Sequence, residues 1–438
     1  MDPKKSKIVH NAATGSLLGA AMLLCNALPS GAQQTEVAAL RAQIEEMTAR
    51  LEKLEADQKK AADAAAKVTA PTVTSSSKLP VTVSGLLQAH YLAFSGQSNN
   101  VAQSPDTFRL RRGEIRLTGA ITPRITGTIM IDPAKTLGLV GAPFIGAGAP
   151  NQANNPLQEM QLSYLLTKRG AASHFADIGQ FKIPVGFEGD LVSSSALQTV
   201  ERALMFSQRD PFGGGFGDVR ESGAQLRGTV GDFDYRLGVF NGLGERQNAL
   251  ALSDPKAILG RLAYHPASIP GLLVGISGGR GNQRTTTGAG VLQRRAERDL
   301  FNTFVTYRKA PWTFQTEYLT GDSELQNVVG VPAGGAGLRR RLVQGYYGSV
   351  GYLFNPKIEG VLRYDYFNFD RRLGGASARD IVLGVNYFIR GNNAKIQANL
   401  IRRNGGNNIN PFFGFPGGTI NNFQNDRTEL RLNFQTGF

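Results

Sequence analysis

Arg112, Glu114 and Arg116 stand two residues apart in RRGEIR, and the same spacing joins Arg363 to Asp365 and Glu429 to Arg431. A period of two places such residues on one face of a β-strand, so their charges share a surface. Arginine carries a planar fork of donors that suits carboxylate and phosphate. The chemistry on offer is recognition of anions by fixed positive charge, with no bond made or broken. Arg227 in AQLRGTV, Arg236 in DYRLGVF and Arg261 in LGRLAY lie on polar faces in the same way, among the acidic counterparts Glu159, Glu317 and Glu359. For any one arginine the plain alternative is a salt bridge bracing a wall. For the set that reading is weaker, because residues 81 to 438 hold 38 basic and 26 acidic side chains, a balance of +12, and 31 of the 38 are arginine. Such an excess calls for mobile anions.

Other chemistries find little support. The one cysteine, Cys25, falls in the leader segment described below, which leaves no thiol for disulfides, catalysis or metal binding. His90, His174 and His265 are scattered without ligand spacing, so neither a metal nor a cofactor is expected. An outer-membrane hydrolase could use His90, whose parity points to the polar face, but no nucleophile motif accompanies it. Nucleic-acid binding is excluded because the basic residues are spread around strands instead of massed on one helix or loop.

The elements that must hold these residues are strands. Sixteen segments alternate over about ten residues each, from VTVSGLLQAHYLAF at 81 to RTELRLNFQTGF at the end. Each even-numbered segment leads to the next through a tight connection, as at TP (122), GD (231), KAP (309) and NP (355), whereas the odd-numbered ones lead into longer stretches, except at the short RLGGASA (372). A sandwich has no reason to alternate its connections so strictly. A transmembrane barrel does, with short periplasmic turns and long outer loops. The fold class read from the sequence is therefore all-β, a 16-stranded antiparallel transmembrane barrel. Tyr91, Tyr164, Tyr235, Tyr264, Tyr307, Tyr318 and Tyr387 fall on apolar faces near strand ends, where interfacial girdles form. Leu430, Leu432, Phe434 and Phe438 alternate in the last strand, which is expected to close the barrel against the first. Arg109 and Arg111 break the parity of Arg112, which predicts a bulge or a position above the membrane edge.

The start of the chain reads differently. Lys4, Lys5 and Lys7, an apolar run from Ala12 to Leu28 and the small residues before Gln33 make residues 1–32 an export signal. Val37, Leu40, Ile44, Met47, Leu51 and Leu54 then recur at spacings of three and four, so residues 33–66 are expected to form a periplasmic coiled coil. Residues 67–80, rich in Pro, Ser and Thr, read as a linker to the barrel of residues 81–438.

GQFKIP at 179–184 and the Glu201–Arg202 pair, in a segment that follows the fifth barrel strand, resemble the phosphate-selective porin O and P family, as do FRLRRGEIRL and YRLGVFNG. The resemblance implies a trimeric outer-membrane porin whose third loop folds into the lumen. That loop, residues 184–220, is the longest in the chain and carries Leu191, Val192, Leu197, Leu204, Met205 and Phe206, apolar side chains that need burial. The pore-lining candidates are Arg112, Glu114, Arg116, Arg227, Arg236, Arg261, Arg363, Asp365 and Arg431. The constriction candidates are Lys182, Glu188, Asp190, Ser193, Ser194, Ser195, Glu201, Arg202 and Arg209. The expected function is a water-filled channel preferring small anions, phosphate among them. A general solute porin that also tethers the envelope through its coiled coil is the alternative, because the loop carboxylates oppose the arginines. Expected partners are further copies of the chain, outer-membrane lipid and lipopolysaccharide, which Arg339 to Arg341 could face, and small anions.

Overall fold

The computed structural model describes residues 42, 45, 46, 48, 49, 72–74, 79–96, 106–136, 156–207, 219–242, 256–285, 294–325, 339–368, 370–372, 374–375, 377–405 and 427–438. The chain divides into two compact units, Met1–Thr69 and Ala70–Phe438. In the first, the few described residues between 42 and 49 are helical. The export signal and the heptad positions lie outside the described residues.

The second unit is a barrel. A three-residue strand β1 (Thr72–Thr74) lies against the start of β2 (Pro80–Gly96). The wall continues through β3 (Thr107–Thr122), β4 (Ile125–Ile131), β5 (Leu157–Arg169), β6 (Ala172–Lys182), β7 (Arg220–Val230), β8 (Phe233–Phe240), β9 (Ala257–Tyr264) and β10 (Leu272–Thr285). It is completed by β11 (Arg294–Lys309), β12 (Trp312–Leu325), β13 (Arg339–Asn355), β14 (Ile358–Asn368), β15 (Ser377–Arg390), β16 (Ala394–Gly405) and β17 (Arg427–Gly437). Each of β2 to β17 pairs antiparallel with its sequence neighbours, and β17 pairs with β2, so sixteen strands close without an edge. Closure satisfies every ladder hydrogen bond internally, which is what a sheet in lipid requires. The closing seam ends with Phe438 exchanging backbone hydrogen bonds with Gly85, at 2.9 and 3.1 Å.

All sixteen alternating segments are strands, and the short connections fall where the sequence placed them. Gly170 and Gly231, at φ 57° and 55°, take the left-handed conformation that lets two-residue turns reverse the chain. The outward parity is apolar. Leu362, Leu383, Leu400 and Leu430 stand side by side across β14 to β17 and are all exposed on the outer face. The parity break in β3 is a bulge: Gln88 pairs with Arg112 and Ala89 with Leu110, which leaves Arg111 as the extra residue.

Candidate functional site

The lumen is divided by the segment after β6. Residues 183–207 leave the wall at Lys182 and cross to the opposite strands in short turns: Phe187–Leu191, Ser194–Ala196 and Leu204–Ser207. Apolar burial holds one part. Ile183, Val185, Ala203, Leu204, Met205 and Phe206 pack with inward residues of β8 to β15, among them Phe240, Leu259, Leu319, Tyr347 and Phe367. Phe187 packs with Ala263 and Phe304, and Leu191 and Val192 lie against that cluster. The outer half of this wall thus has an apolar interior. The sequence signal for it was present: Tyr346 with Tyr347, and Leu300 with Phe301, make both parities apolar where one would suffice.

A second part is held by polar side chains that the sequence reading passed over. Gln88 donates to the Ser194 carbonyl (3.3 Å), Gln435 to that of Ser195 (3.0 Å), and Lys395 and Gln397 to that of Leu197 (2.8 and 3.2 Å). Asn386 donates to the Gln198 carbonyl at 2.9 Å, and Asn399 accepts from the Val200 amide at 2.7 Å. These side chains satisfy an irregular backbone that has no ladder of its own. They come from β2 and β15 to β17, so the segment is fastened to that side of the barrel.

The loop carboxylates are spent in fastening. Glu188 receives Arg363 at 2.8 Å and the Ala203 amide at 2.7 Å. Asp190 receives Arg236 at 2.9 Å and pairs closely with Arg261, which also pairs with Asp234. The side chains of Glu188 and Asp190 are each only 1% exposed. Glu201 takes Arg111 through both carboxylate oxygens (2.7 and 3.0 Å) and Arg109 at 3.2 Å, and the bulge is what aims both arginines at it. Burial acts to raise the Glu201 carboxyl, and Arg111 and Arg109 together outweigh it, holding the group well below the ordinary glutamate range. Arg202 is buried and binds the carbonyls of Glu188 and Val192 and the Ser194 hydroxyl. Ser193 caps the next turn by accepting from the Ser195 amide at 3.3 Å. Lys182 ends β6 opposite Arg220. Arg209 lies outside the described residues.

The wall arginines fall into two groups. Arg363 is buried over the Tyr347 ring at 3.9 Å and lies 3.5 Å from Asp365, which accepts the Leu204 amide. Arg261 is buried, Arg112 is buried beside Gln88 (2.6 Å) and Glu114 (3.6 Å), and Arg431 is paired with Glu429. Glu317 and Glu359 also serve the loop: the first accepts the Phe187 amide at 2.5 Å and the second accepts Gln198 at 3.2 Å. The other group is open. Arg116 is 39% exposed and meets Glu159 through Nη2 alone (2.8 Å). Arg227 is 30% exposed, meets Asp177 through Nε (2.7 Å) and stacks on Phe175 at 4.2 Å. Arg236 is 27% exposed and meets Asp190 through Nη1. Each keeps further N–H groups without a protein partner among the described residues. These three belong to β3, β7 and β8, and Arg236 also holds the loop through Asp190. His90, inward and buried, stands 3.9 Å from Glu201, and neither ring nitrogen has a hydrogen-bond partner among the described residues.

Comparison with known proteins fits this architecture. Residues 277–411 match the family model described as phosphate-selective porin O and P. That is the family read from residues 179–184 and 201–202, matched over a different part of the chain. No curated protein matches the chain. Among solved structures, the anion-selective porin from Comamonas acidovorans superposes with a TM-score of 0.55 at 12% identity, covering 82% of this chain and 99% of that one. The outer membrane channel DcaP of Acinetobacter baumannii gives 0.51 at 11% identity, over 84% and 100% of the two chains. OmpT, an outer membrane protein of Vibrio cholerae, gives 0.51 at 11% identity in its trimer form, over 82% and 99%. At these identities the likeness is one of fold.

Proposed function

We propose that this chain, a porin-type barrel whose residues 277–411 match the phosphate-selective porin O and P family, forms an outer-membrane diffusion channel that prefers anions. One observation carries the preference: the loop carboxylates Glu188 and Asp190 are buried in ion pairs, while Arg116, Arg227 and Arg236 keep open N–H groups toward the lumen. Fixed positive charge in a narrow path lowers the energy of a passing anion and raises that of a cation, as charged rings do in other pores. Two opposing acids, Glu114 and Asp234, stay partly exposed on the same wall, at 18% and 29%, and each already has an arginine beside it. The open donors on that side are therefore arginine N–H groups, while each acid there is held by an arginine. The same fold in the anion-selective Comamonas porin and in trimeric OmpT supports an anion-preferring channel assembled from several copies.

The reversal potential across a salt gradient in planar bilayers tests the reading. An anion-selective sign is expected. A cation-selective sign would mean that Glu114 and Asp234 outweigh the three arginines, and would sink the proposal.

A further inference from the structure

The short connections at one end of the barrel hold charges that the channel reading leaves unused. Arg124 lies in the turn from β3 to β4, Lys168 and Arg169 at the end of β5, Arg308 and Lys309 at the end of β11, Lys357 between β13 and β14, and Arg390 at the end of β15. All seven are exposed. Among the described residues, none of these side chains has an ion-pair or hydrogen-bond partner. The acidic side chains at the same end are engaged. Asp232 accepts the Ala267 amide at 3.0 Å, Asp234 pairs with Arg261, and Glu359 accepts Gln198 and Asn386 at 3.2 and 2.8 Å.

The register gives each cation a face. Lys168 pairs with Ser173, on the parity of the buried Asp177, and Arg308 pairs with Thr313, on the parity of the buried Gln315 and Glu317. Arg124 and Lys357 precede Thr128 and Arg363 by even steps, and both of those are buried inward residues. These four therefore fall on the lumen side of the wall, around its mouth. Arg169, Lys309 and Arg390 pair with Ala172, Trp312 and Ala394 on the outward parity. Membrane lipid can reach only the outward three.

A small anion is an equally poor match for the ring. Strands about 4.8 Å apart and tilted by roughly 40° put neighbouring short turns roughly 12 Å from one another. That exceeds the Debye length of about 8 Å at physiological ionic strength, so a small ion there meets one turn at a time. Sixteen such strands enclose a ring about 32 Å across, the width of a small folded domain. The turns are also stiff, with Pro123, Pro266, Pro270 and Pro356 fixing the backbone, and a stiff surface loses little freedom on binding. From these unpaired cations, set around the mouth on fixed turns, we infer that the short-connection end of the barrel is a docking surface for the acidic face of a soluble periplasmic protein. Docked there, the partner meets solute as it leaves the lumen. The inference rests on the outer-membrane placement proposed above, which sets this end in the periplasm, and does not need the anion preference.

The test uses the full chain in phosphatidylcholine nanodiscs and two probes of matched negative charge, a folded one (negatively supercharged green fluorescent protein) and a flexible one (poly-L-glutamate), with binding read by interferometry. The folded probe should bind in about 0.05 M salt and be released in about 0.5 M. The fourfold variant Arg124→Gln, Lys168→Gln, Arg308→Gln, Lys357→Gln should weaken it about thirtyfold, a little over twofold for each exposed pair lost. The halves of that variant, Arg124→Gln with Lys168→Gln and Arg308→Gln with Lys357→Gln, should each weaken it about fivefold, which keeps the test open if the fourfold variant does not fold. Arg371→Gln with Arg379→Gln, exposed at the opposite end, should change nothing. Unchanged affinity in the folded variants, or a probe still held in about 0.5 M salt, overturns the inference. Tighter binding of poly-L-glutamate than of the folded probe also overturns it, and assigns the ring to an extended anionic polymer. Failure of the unaltered chain to open channels in planar bilayers would instead overturn the outer-membrane reading itself.

Discussion

Arg116 and Arg236 differ from Arg363 in what a substitution would uncover. Removing Arg363 strips a buried carboxylate, Glu188, of its guanidinium, and a buried charge left without its partner costs several kcal/mol. Removing Arg116 leaves Glu159 near Arg220 at 3.8 Å, and removing Arg236 leaves Asp190 paired with Arg261. The double variant Arg116→Ala, Arg236→Ala is therefore expected to fold and to lose anion preference. A unit charge about 7 Å from an ion in a water-like medium is worth about 0.6 kcal/mol. Because that term favours the anion and opposes the cation alike, the anion-to-cation permeability ratio should then fall roughly sevenfold for each arginine removed, as read from reversal potentials. An unchanged ratio would show that these arginines do not set the field. Their inward parity was legible in the sequence, because alternation alone assigns a face. Whether a given arginine was open or spent was not, because that depends on Glu188 and Asp190, which reach Arg363 and Arg236 from far along the chain.

At the scale of elements, sixteen strands and their short turns could be read from period and spacing, since both are local properties. The path of the third loop could not. Its length and apolar residues demanded burial, but the partners are single side chains such as Gln88, Asn386, Lys395 and Asn399, each of which looks like any lumen-facing polar residue in its own strand. Gly186 is where the loop's course can be disturbed. It sits at φ 84° and ψ 168°, a conformation nearly confined to glycine, and a Cβ there would lie 2.6 Å from both a Glu317 oxygen and the Phe206 ring. Gly186→Ala should displace the start of the segment at a cost of about 1–3 kcal/mol while leaving the closed wall intact. Single-channel recording should then show a larger or noisier conductance than that of the unaltered protein. A conductance of the same size and steadiness would mean that the segment does not narrow the path.

For the whole molecule, two consequences follow from parts that the barrel itself does not determine. The heptad positions between Val37 and Leu54 give a mechanism for joining copies, so deleting residues 33–60 should lower the temperature at which the assembled oligomer dissociates on mild gels. An unchanged temperature would remove the segment from assembly. The second consequence concerns the field of the entire lumen. The barrel region carries +12, yet much of its arginine is neutralised within the protein: Arg261, Arg363 and Arg403 are buried against Asp190, Glu188, Asp380 and Glu429. What remains open are the partly exposed guanidinium groups of Arg116, Arg227 and Arg236 on β3, β7 and β8, acting through water and not through a dry interior. Such a field is open to screening. The Debye length is about 3 Å in 1 M salt and about 30 Å in 0.01 M, longer than the half-width of any lumen this wall could enclose. Anion preference should therefore be strong in dilute salt and fade as the salt rises. A preference that persisted undiminished at 1 M would require ions to shed water and bind arginine directly, so the slope of selectivity against salt separates a channel that steers anions by its field from one that holds them at a site.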